Sequence, residues 1–345
     1  MNSAQAMQQA PQAAPQDVMM QMFSGLWLSQ AIHVAAKLGL ADLVSDQPRT
    51  IAELARASGT HPASLYRLMR ALASQGIFRE AEEDEFVSTP LSETLRKDAP
   101  GSLRGFAIAG LGQEHYKAWG NLLHSVQTGD IAFDNFFGQN IWEYYAWHPE
   151  DAAVFNDAMT GFTEAINAAV VGAYDFSGFR KVVDIGGGHG ALLAAILKTN
   201  PAMNGVVFDQ PHVVDGAPAR LEAEGVLNRC DIEGGDFFQS VTAGGDAYLM
   251  KFIIHDWEDE KSIKIMKNIR RAMADGGRLL LIEYLVPPGN TPSPSKFMDL
   301  NMLVMTGGRE RTEKQFAELF AAAGFRLNRI VPTESAFSII EAVRV

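Results

Sequence analysis

His255, Glu283 and Glu310 are the residues whose types and positions could move a proton. His255 stands in Lys251-Phe-Ile-Ile-His-Asp-Trp-Glu-Asp259, just after an apolar run, Ala247 to Met250, that reads as a buried strand. Ligands of open α/β sheets bind at the carboxyl ends of parallel strands, so an imidazole there is placed to meet one. An ordinary imidazole pKa of about 6.5 suits a base near neutral pH. Glu283 closes the next apolar run, Arg278 to Glu283, at the same sheet edge. Glu310 lies in Gly307-Gly-Arg-Glu-Arg-Thr312, just ahead of a helix opened by Thr312. Each acid also has a plain reading: Glu283 as a strand-end acid, Glu310 as a helix N-terminal charge.

A second set of residues is suited to binding. Lys181-Val-Val-Asp-Ile-Gly-Gly-Gly-His-Gly190 reads as strand and glycine loop, and a helix follows from Ala191 to Lys198. That layout brings backbone N–H groups close to a ligand at a helix start. Gly186, Gly188 and Ala191 satisfy the dinucleotide pattern, so a nicotinamide cofactor has to be weighed. Asp184 argues the other way, because an extra carboxylate beside the loop suits a cationic cofactor better than a pyrophosphate. Asp209 ends the second strand, at about the 20-residue spacing where an acid meets ribose hydroxyls. That acid serves a nicotinamide dinucleotide and S-adenosylmethionine equally. Asp236-Phe237 follows Gly234-Gly235, where an acid could accept from an adenine amino group and a ring could flank the base. A turn residue after two glycines is the alternative for Asp236. Lys251 ends a further strand at the same edge.

The elements that must hold these residues follow from periodicity. Apolar residues recur at helical spacing from Val18 to Leu38, and Gly39 stops them. Thr50 with Glu53 predicts a capped helix over 51–58, and Thr60-His-Pro opens another over 63–74. Phe86 to Pro90 reads as a short strand behind the acidic turn Glu82 to Glu85. Two short helices and a strand turn make a winged helix-turn-helix. Its turn is acidic where DNA would need a basic wing, so a structural or dimerising module is expected.

Leu103 to Ala173 is helical and rich in aromatics that could line a pocket for a flat apolar substrate. Met159, Phe162, Asn301, Met302 and Met305 are candidates for its wall, with ordinary helix packing the alternative. From Val182 onward strands alternate with helices, at 182–185, 205–208, 247–250 and 278–283, which predicts a parallel, doubly wound sheet. Two hairpinned strands, 325–331 and 337–343, close the chain. The expected division is a disordered tail at 1–16, a winged-helix domain at 17–100, linker and pocket helices at 101–175, and the sheet domain at 176–345.

Composition narrows the partners. The 345 residues are 47% hydrophobic and 20% charged, with a net charge of −12. Nucleic acid and anionic membrane both call for a basic surface, so neither is expected. One cysteine, Cys230, leaves no intrachain disulfide and no cysteine-based zinc cage. His115, His124 and His148 lack metal-ligand spacing, so no metal is expected. No apolar run approaches the roughly 20 residues of a membrane span, and the first residues lack signal-peptide character. The cytoplasm is the expected location.

Taken in order, these motifs resemble those of the S-adenosylmethionine-dependent small-molecule O-methyltransferases of the plant caffeate and hydroxyindole type. The chain is especially similar to their bacterial relatives that methylate natural-product hydroxyls. The resemblance runs from about Met22 to Val345. It rests on Val-Val-Asp-Ile-Gly-Gly-Gly-His-Gly, Phe208-Asp-Gln-Pro-His-Val, Gly235-Asp-Phe-Phe, His255-Asp-Trp, Ile282-Glu and Gly308-Arg-Glu-Arg-Thr. It implies an α/β fold: a Rossmann-like class I methyltransferase sheet at the C-terminus behind an all-helical winged-helix dimerisation domain, assembled as an intertwined homodimer. It implies methyl transfer from S-adenosyl-L-methionine, without a metal, to a phenolic hydroxyl of a small aromatic substrate. His255 would be the general base, acting with Glu283 and Glu310. Gly186, Asp209, Asp236, Phe237 and Lys251 would contact the cofactor. Gln210 departs from the leucine frequent in plant members, and the segment from Asp209 to Asp236 is longer. Relatives on this fold have drifted to other reactions; the retained His255 favours methylation. An NAD-dependent oxidoreductase and a small-molecule-sensing DNA-binding regulator are the competing readings.

Overall fold

The computed structural model describes residues 14–345, except for the side chains at 157, 160–162 and 165. The expected disordered tail falls mostly on residues 1–13, outside the described residues. A helix opens at Pro15, where the ring's fixed φ suits the first turn.

The chain forms two compact units, one ending at Gly112 and the other running from Gln113 to Val345. The first unit is helical but not wholly so. The helix expected from Val18 to Leu38 is two, Pro15–Phe23 and Gly25–Lys37, parted at Ser24. The Ser24 hydroxyl donates to the Gln21 carbonyl, a local bond that competes with helix continuity. Thr50 and Glu53 close a capping box on Ile51–Ser58, and Pro62–Ser74 follows. Three short strands, β1 (Arg49–Thr50), β2 (Arg79–Glu82) and β3 (Glu85–Val87), form an antiparallel sheet in the order β1-β3-β2. β2 escapes sequence reading because Arg-Glu-Ala-Glu has no apolar alternation and lies largely exposed. Leu40, Leu54, Met69, Leu72, Phe78 and Phe86 form this unit's core.

The second unit is built on a seven-stranded sheet. β4 (Lys181–Ile185), β5 (Asn204–Asp209), β6 (Cys230–Gly234), β7 (Ala247–Lys251) and β8 (Arg278–Glu283) are parallel, in the order β6-β5-β4-β7-β8. β9 (Phe325–Pro332) and β10 (Ser338–Arg344) extend it antiparallel, with β10 inserted between β8 and β9. The chain leaves central β4 to one side for β5 and β6, then crosses to β7 and β8, so a crevice opens between the carboxyl ends of β4 and β7.

Alternate residues feed two cores. Val182, Leu249, Leu280 and Ile282 pack on one face, and Val183, Met250, Leu279 and Leu281 on the other. That two-sided burial is why the parallel strands read as continuous apolar runs. β6 was not foreseen: Cys-Asp-Ile-Glu-Gly sits at the sheet edge with its acids exposed, as edge strands do. Among the described residues, no helix is long and apolar enough to cross a membrane.

Candidate active site

The crevice is floored by the glycine loop. Past β4, the N–H groups of Gly186 and Gly187 donate to the Phe208 carbonyl at 2.8 and 3.3 Å, tying the loop to β5. Gly188 has φ +58°, and a Cβ there would meet nothing within 4 Å. The backbone thus takes a turn that favours glycine while facing open space, which is what close approach by a ligand needs. The Gly188 N–H donates to Asp209 Oδ2 at 2.8 Å, and Asp209 Oδ1 accepts from the Gln210 N–H at 2.7 Å. Burial raises the Asp209 pKa against these two bonds.

Asp184 is buried directly beneath the loop: a Cβ on Gly187 would stand 2.9 Å from its carboxyl. Burial pushes Asp184 up to about 6, and Lys251 works against the rise. Lys251 donates from Nζ to Asn167 Oδ1 at 2.8 Å; burial draws its pKa down to about 8, with Asp184 opposing. Asp236 is exposed and spends both oxygens on its own turn, accepting from the Phe238 N–H at 2.8 Å and from Gln239 Nε2 at 3.1 Å. Phe237 stands half-buried, with ring centroids 4.9 Å from Phe238 and 6.2 Å from Trp257.

Across the crevice, the chain leaves β7 through Phe252, whose φ of +58° is unusual for a bulky residue. Such a conformation costs on the order of 1–3 kcal/mol and persists only where surroundings enforce it. It swings the chain into the short turn Ile254–Asp256, which carries His255. Glu283, fully buried at the end of β8, braces the same turn by accepting from the Ile253 and Ile254 N–H groups at 3.2 and 3.0 Å.

The Gly307–Thr312 loop closes from the other side. Arg309 donates its N–H to the His255 carbonyl at 2.8 Å, and a Cβ on Gly308 would overlap that same carbonyl. The loop can therefore reach His255 only with glycine at this position. Glu310 is aimed by its own N–H, which donates to Asp299 Oδ1 at 2.9 Å. Arg311, 1% exposed, donates to the Ile254 carbonyl at 3.0 Å and the Trp257 carbonyl at 2.8 Å, and pairs with Asp259 at 2.7 Å. It clamps both ends of the turn that holds the imidazole.

His255 Nδ1 lies 2.8 Å from Glu310 Oε1 and 3.6 Å from Glu283 Oε2, whereas Nε2 has Asp256 Oδ1 at 3.8 Å. In the neutral ring, the carboxylate at 2.8 Å favours the tautomer in which Nδ1 carries the proton and donates, leaving the Nε2 lone pair to accept. Burial alone would lower the imidazole pKa. Glu283, Asp256 and Glu310 together outweigh burial and hold it up at about 10. Burial also raises Asp256, to about 6, and Glu283, whose carboxylate neighbours add to the rise. Buried Glu283 Oε2 and Glu310 Oε2 have no hydrogen-bond partner among the described residues. Such a cluster holds protons that water would remove. One nitrogen of His255 and one oxygen from each of Glu283 and Glu310 also lie within 4.8 Å of one another, a spacing a metal ion could use.

The proposed substrate wall is more scattered. Asn301 accepts from Trp119 Nε1 at 2.9 Å. Met302 is buried, and Met305 packs into a cluster with Phe133, Ile141 and Tyr145. Met159 is half-buried on the long helix Pro149–Ala173, and the Phe162 side chain lies outside the described residues. Sequence reading missed Asn167, Asp299 and Arg311 as site-building residues. Arg311 alone left a trace, as the second arginine of Arg-Glu-Arg, but its burial has no local signature.

Comparison with known proteins fits this geometry. The O-methyltransferase domain family matches residues 119–326, and the O-methyltransferase dimerisation domain matches residues 20–98. A phenazine O-methyltransferase of Lysobacter antibioticus is 49% identical over 325 residues, 94% of this chain and 95% of that protein. The solved structure of a mitomycin 7-O-methyltransferase superposes with a TM-score of 0.90 at 37% identity, covering 96% of this chain and 98% of that one. An O-methyltransferase from neocarzinostatin biosynthesis, solved with S-adenosylmethionine and 2-hydroxy-5-methyl naphthoic acid, gives a TM-score of 0.81 at 32% identity over 92% of this chain and 96% of that one. With its class I sheet, glycine loop and preceding dimerisation domain, the chain belongs to the O-methyltransferase family.

Proposed function

We propose that this protein transfers the methyl group of S-adenosyl-L-methionine to a phenolic hydroxyl of a small aromatic natural product, with His255 as general base. One observation carries the assignment of the base: His255 turns Nδ1 to Glu310 at 2.8 Å, so that Nε2 of the neutral ring is the nitrogen left to accept a proton, on the turn at the carboxyl end of β7.

The residues of the crevice suit the methyl donor. The open backbone over Gly188 can admit it, Asp209 can accept from its ribose, and Asp184 adds negative charge beneath the loop. Gly186, Asp236, Phe237 and Lys251 complete the proposed contacts. When bound, S-adenosylmethionine supplies an electrophilic methyl on a cationic sulfur. The family match displaces the dehydrogenase reading, because the same loop serves this donor.

With the donor bound, His255 Nε2 would take the hydroxyl proton and so ready the substrate oxygen to receive the methyl group, S-adenosylhomocysteine being the leaving product. Glu310 and Glu283 hold the imidazole in place and stabilise it once protonated. The proton then leaves to solvent. A phenol has a pKa of about 10, and the carboxyl neighbours of His255 raise its proton affinity above that of an ordinary imidazole, which favours the transfer. A positioned base of this kind contributes about 10²–10⁴-fold. Phenoxide and sulfonium charges cancel as the bond forms, so a dry pocket helps.

The first unit is proposed to build the homodimer, consistent with its match to a dimerisation domain and with exposed Met22, Phe23 and Trp27 at 67%, 60% and 70%. A winged-helix arrangement and a cytoplasmic location complete the reading. Methyl transfer from labelled S-adenosylmethionine to a panel of phenolic natural products tests the function. Labelled ether product supports it; cofactor binding without transfer to any phenol, alcohol or naphthol rejects it.

A further inference from the structure

His255 meets only the reacting hydroxyl, so the rest of an aromatic acceptor has to be oriented by other groups. Pockets for flat molecules are mostly apolar, with a few polar groups that set direction. Asn301 is placed to be one of them. It stands half-buried on the helix Pro294–Met305, in a row with Met298, Met302 and Met305. The same helix carries Asp299, which holds the Glu310 N–H, and it runs directly into the Gly307–Thr312 loop. At about 100° per residue, Asn301 leaves the helix on a different side from Asp299. That side meets the aromatic helices. The Asn301 amide is bonded to Trp119 of Gln113–Gly120, and Met305 packs with Phe133, Ile141 and Tyr145.

The bond to Trp119 settles which way the amide points. An indole N–H can donate but has no lone pair with which to accept, so only the amide oxygen can meet it. Trp119 Nε1 binds Asn301 Oδ1 at 2.9 Å and so leaves Nδ2 on the other side. Exchanging the two amide atoms would set donor against donor. Nδ2 carries two N–H groups. One is directed at Met298 Sδ at 3.8 Å, a weak acceptor. The other has no partner among the described residues. Asn301 is thus held as a donor, among methionine side chains that give it little to bond.

Resting on the proposed function, we infer that Asn301 selects hydroxyarenes that also bear a hydrogen-bond-accepting atom, a ring nitrogen or a carbonyl-type oxygen, away from the reacting hydroxyl. Trp119 is the positioning residue that keeps the amide turned to donate. A plain carbocycle of the same shape would fill the space and leave the N–H unmet. The difference is one hydrogen bond, about two- to tenfold for an uncharged acceptor atom. A carboxylate oxygen would take the same bond more strongly.

The experiment pairs acceptors that differ only in that atom. Naphthols are set against hydroxyquinolines, with the nitrogen in each position of the ring that lacks the hydroxyl. Acetylnaphthols are set against their isopropenyl counterparts, which replace the carbonyl oxygen with carbon. Binding is measured by calorimetry with S-adenosylhomocysteine present, and kcat/KM by product mass with S-adenosylmethionine. The expected result is a preference of about two- to tenfold for at least one nitrogen or carbonyl member over its carbon partner. Asn301→Leu should bring that ratio close to one. Asn301→Asp should do the same, since it keeps an oxygen for Trp119 but has no N–H to give. Trp119→Phe should shrink the ratio in the parent protein and change it no further in Asn301→Leu, a coupling that lost packing alone would not produce. Pairs that bind and react alike at every position overturn the inference, as does a panel that does not bind or a preference that survives Asn301→Leu. A preference untouched by Trp119→Phe overturns the role of Trp119. If the preference appears in binding but nothing is methylated, the proposed reaction falls while the selection by Asn301 stands.

Discussion

At the residue scale, the site is a contest between burial and charge. Burial opposes an imidazolium at His255, yet three carboxyl neighbours reverse the outcome and carry the pKa from 6.5 to about 10. The charged ring therefore stabilises the fold fully below pH 6.5, and that contribution is lost as pH rises through about 10. Catalysis needs the opposite form. Turnover should climb from neutral pH into the alkaline range, with the bound cationic donor drawing the inflection below 10. Glu310→Gln removes one supporting charge, so the rise should move to lower pH while its plateau falls; a profile that keeps its position would detach Glu310 from the base. His255→Ala should lower kcat by about 10²–10⁴-fold. Calorimetry should find S-adenosylmethionine affinity nearly unchanged in that variant, and equal turnover would dismiss the base. Asp209→Ala should do the reverse, weakening the cofactor at least tenfold with little change in turnover at saturation.

Sequence alone placed Glu283 at a strand end and His255 just past one, because parallel strands are apolar runs and their ends are easily seen, and it placed Glu310 in the loop ahead of a helix. It did not place Asp299 or Asn167. Their role is to hold another residue's backbone or ammonium group, and nothing in their neighbours' types announces it.

At the element scale, the turn that carries His255 is held at more points than its length requires. Phe252 bends it away from β7, Glu283 takes two of its N–H groups, and Arg311 takes carbonyls at both ends. Arg311→Met should expose that arrangement. Removing the guanidinium leaves the buried Ile254 carbonyl without a donor, at about 1–3 kcal/mol, so the unfolding midpoint should fall. If the clamp positions the base, kcat should fall more than the KM for S-adenosylmethionine changes, and the alkaline profile should shift. Loss of stability alone would make Arg311 a structural residue. The short strands mark where periodicity fails: β2 and β6 are edge segments dominated by charges, and only hydrogen bonding to a neighbour defines them. The break at Ser24 is likewise invisible to apolar spacing, which continues straight across it.

At the scale of the whole molecule, the two units divide the labour that their compositions suggest. The first exposes methionine, phenylalanine and tryptophan along Pro15–Phe23 and the start of Gly25–Lys37, an area that water would not leave bare in a stable monomer. Sedimentation should find a dimer, and Phe23→Glu with Trp27→Glu should dissociate it; a monomeric parent protein would remove that proposal. The second unit holds a His–Glu–Glu set that a metal ion could enter, yet the proposed chemistry asks only for a base. Activity should survive exhaustive chelation; loss restored by a divalent ion would replace the base with a metal.

The position of β10 has a consequence for biosynthesis. β8 carries Glu283 into the crevice, but its outer neighbour is supplied only from Ser338 onward. While the chain emerges from the ribosome, β7 can cover one side of β8, and the other edge stays bare until β10 arrives. For that interval the nascent protein presents an apolar, unpaired strand edge, the feature that invites aggregation and chaperone capture. Completing the sheet therefore waits for β10, and yield in a host cell should depend on chaperone capacity as well as on the stability of the finished enzyme.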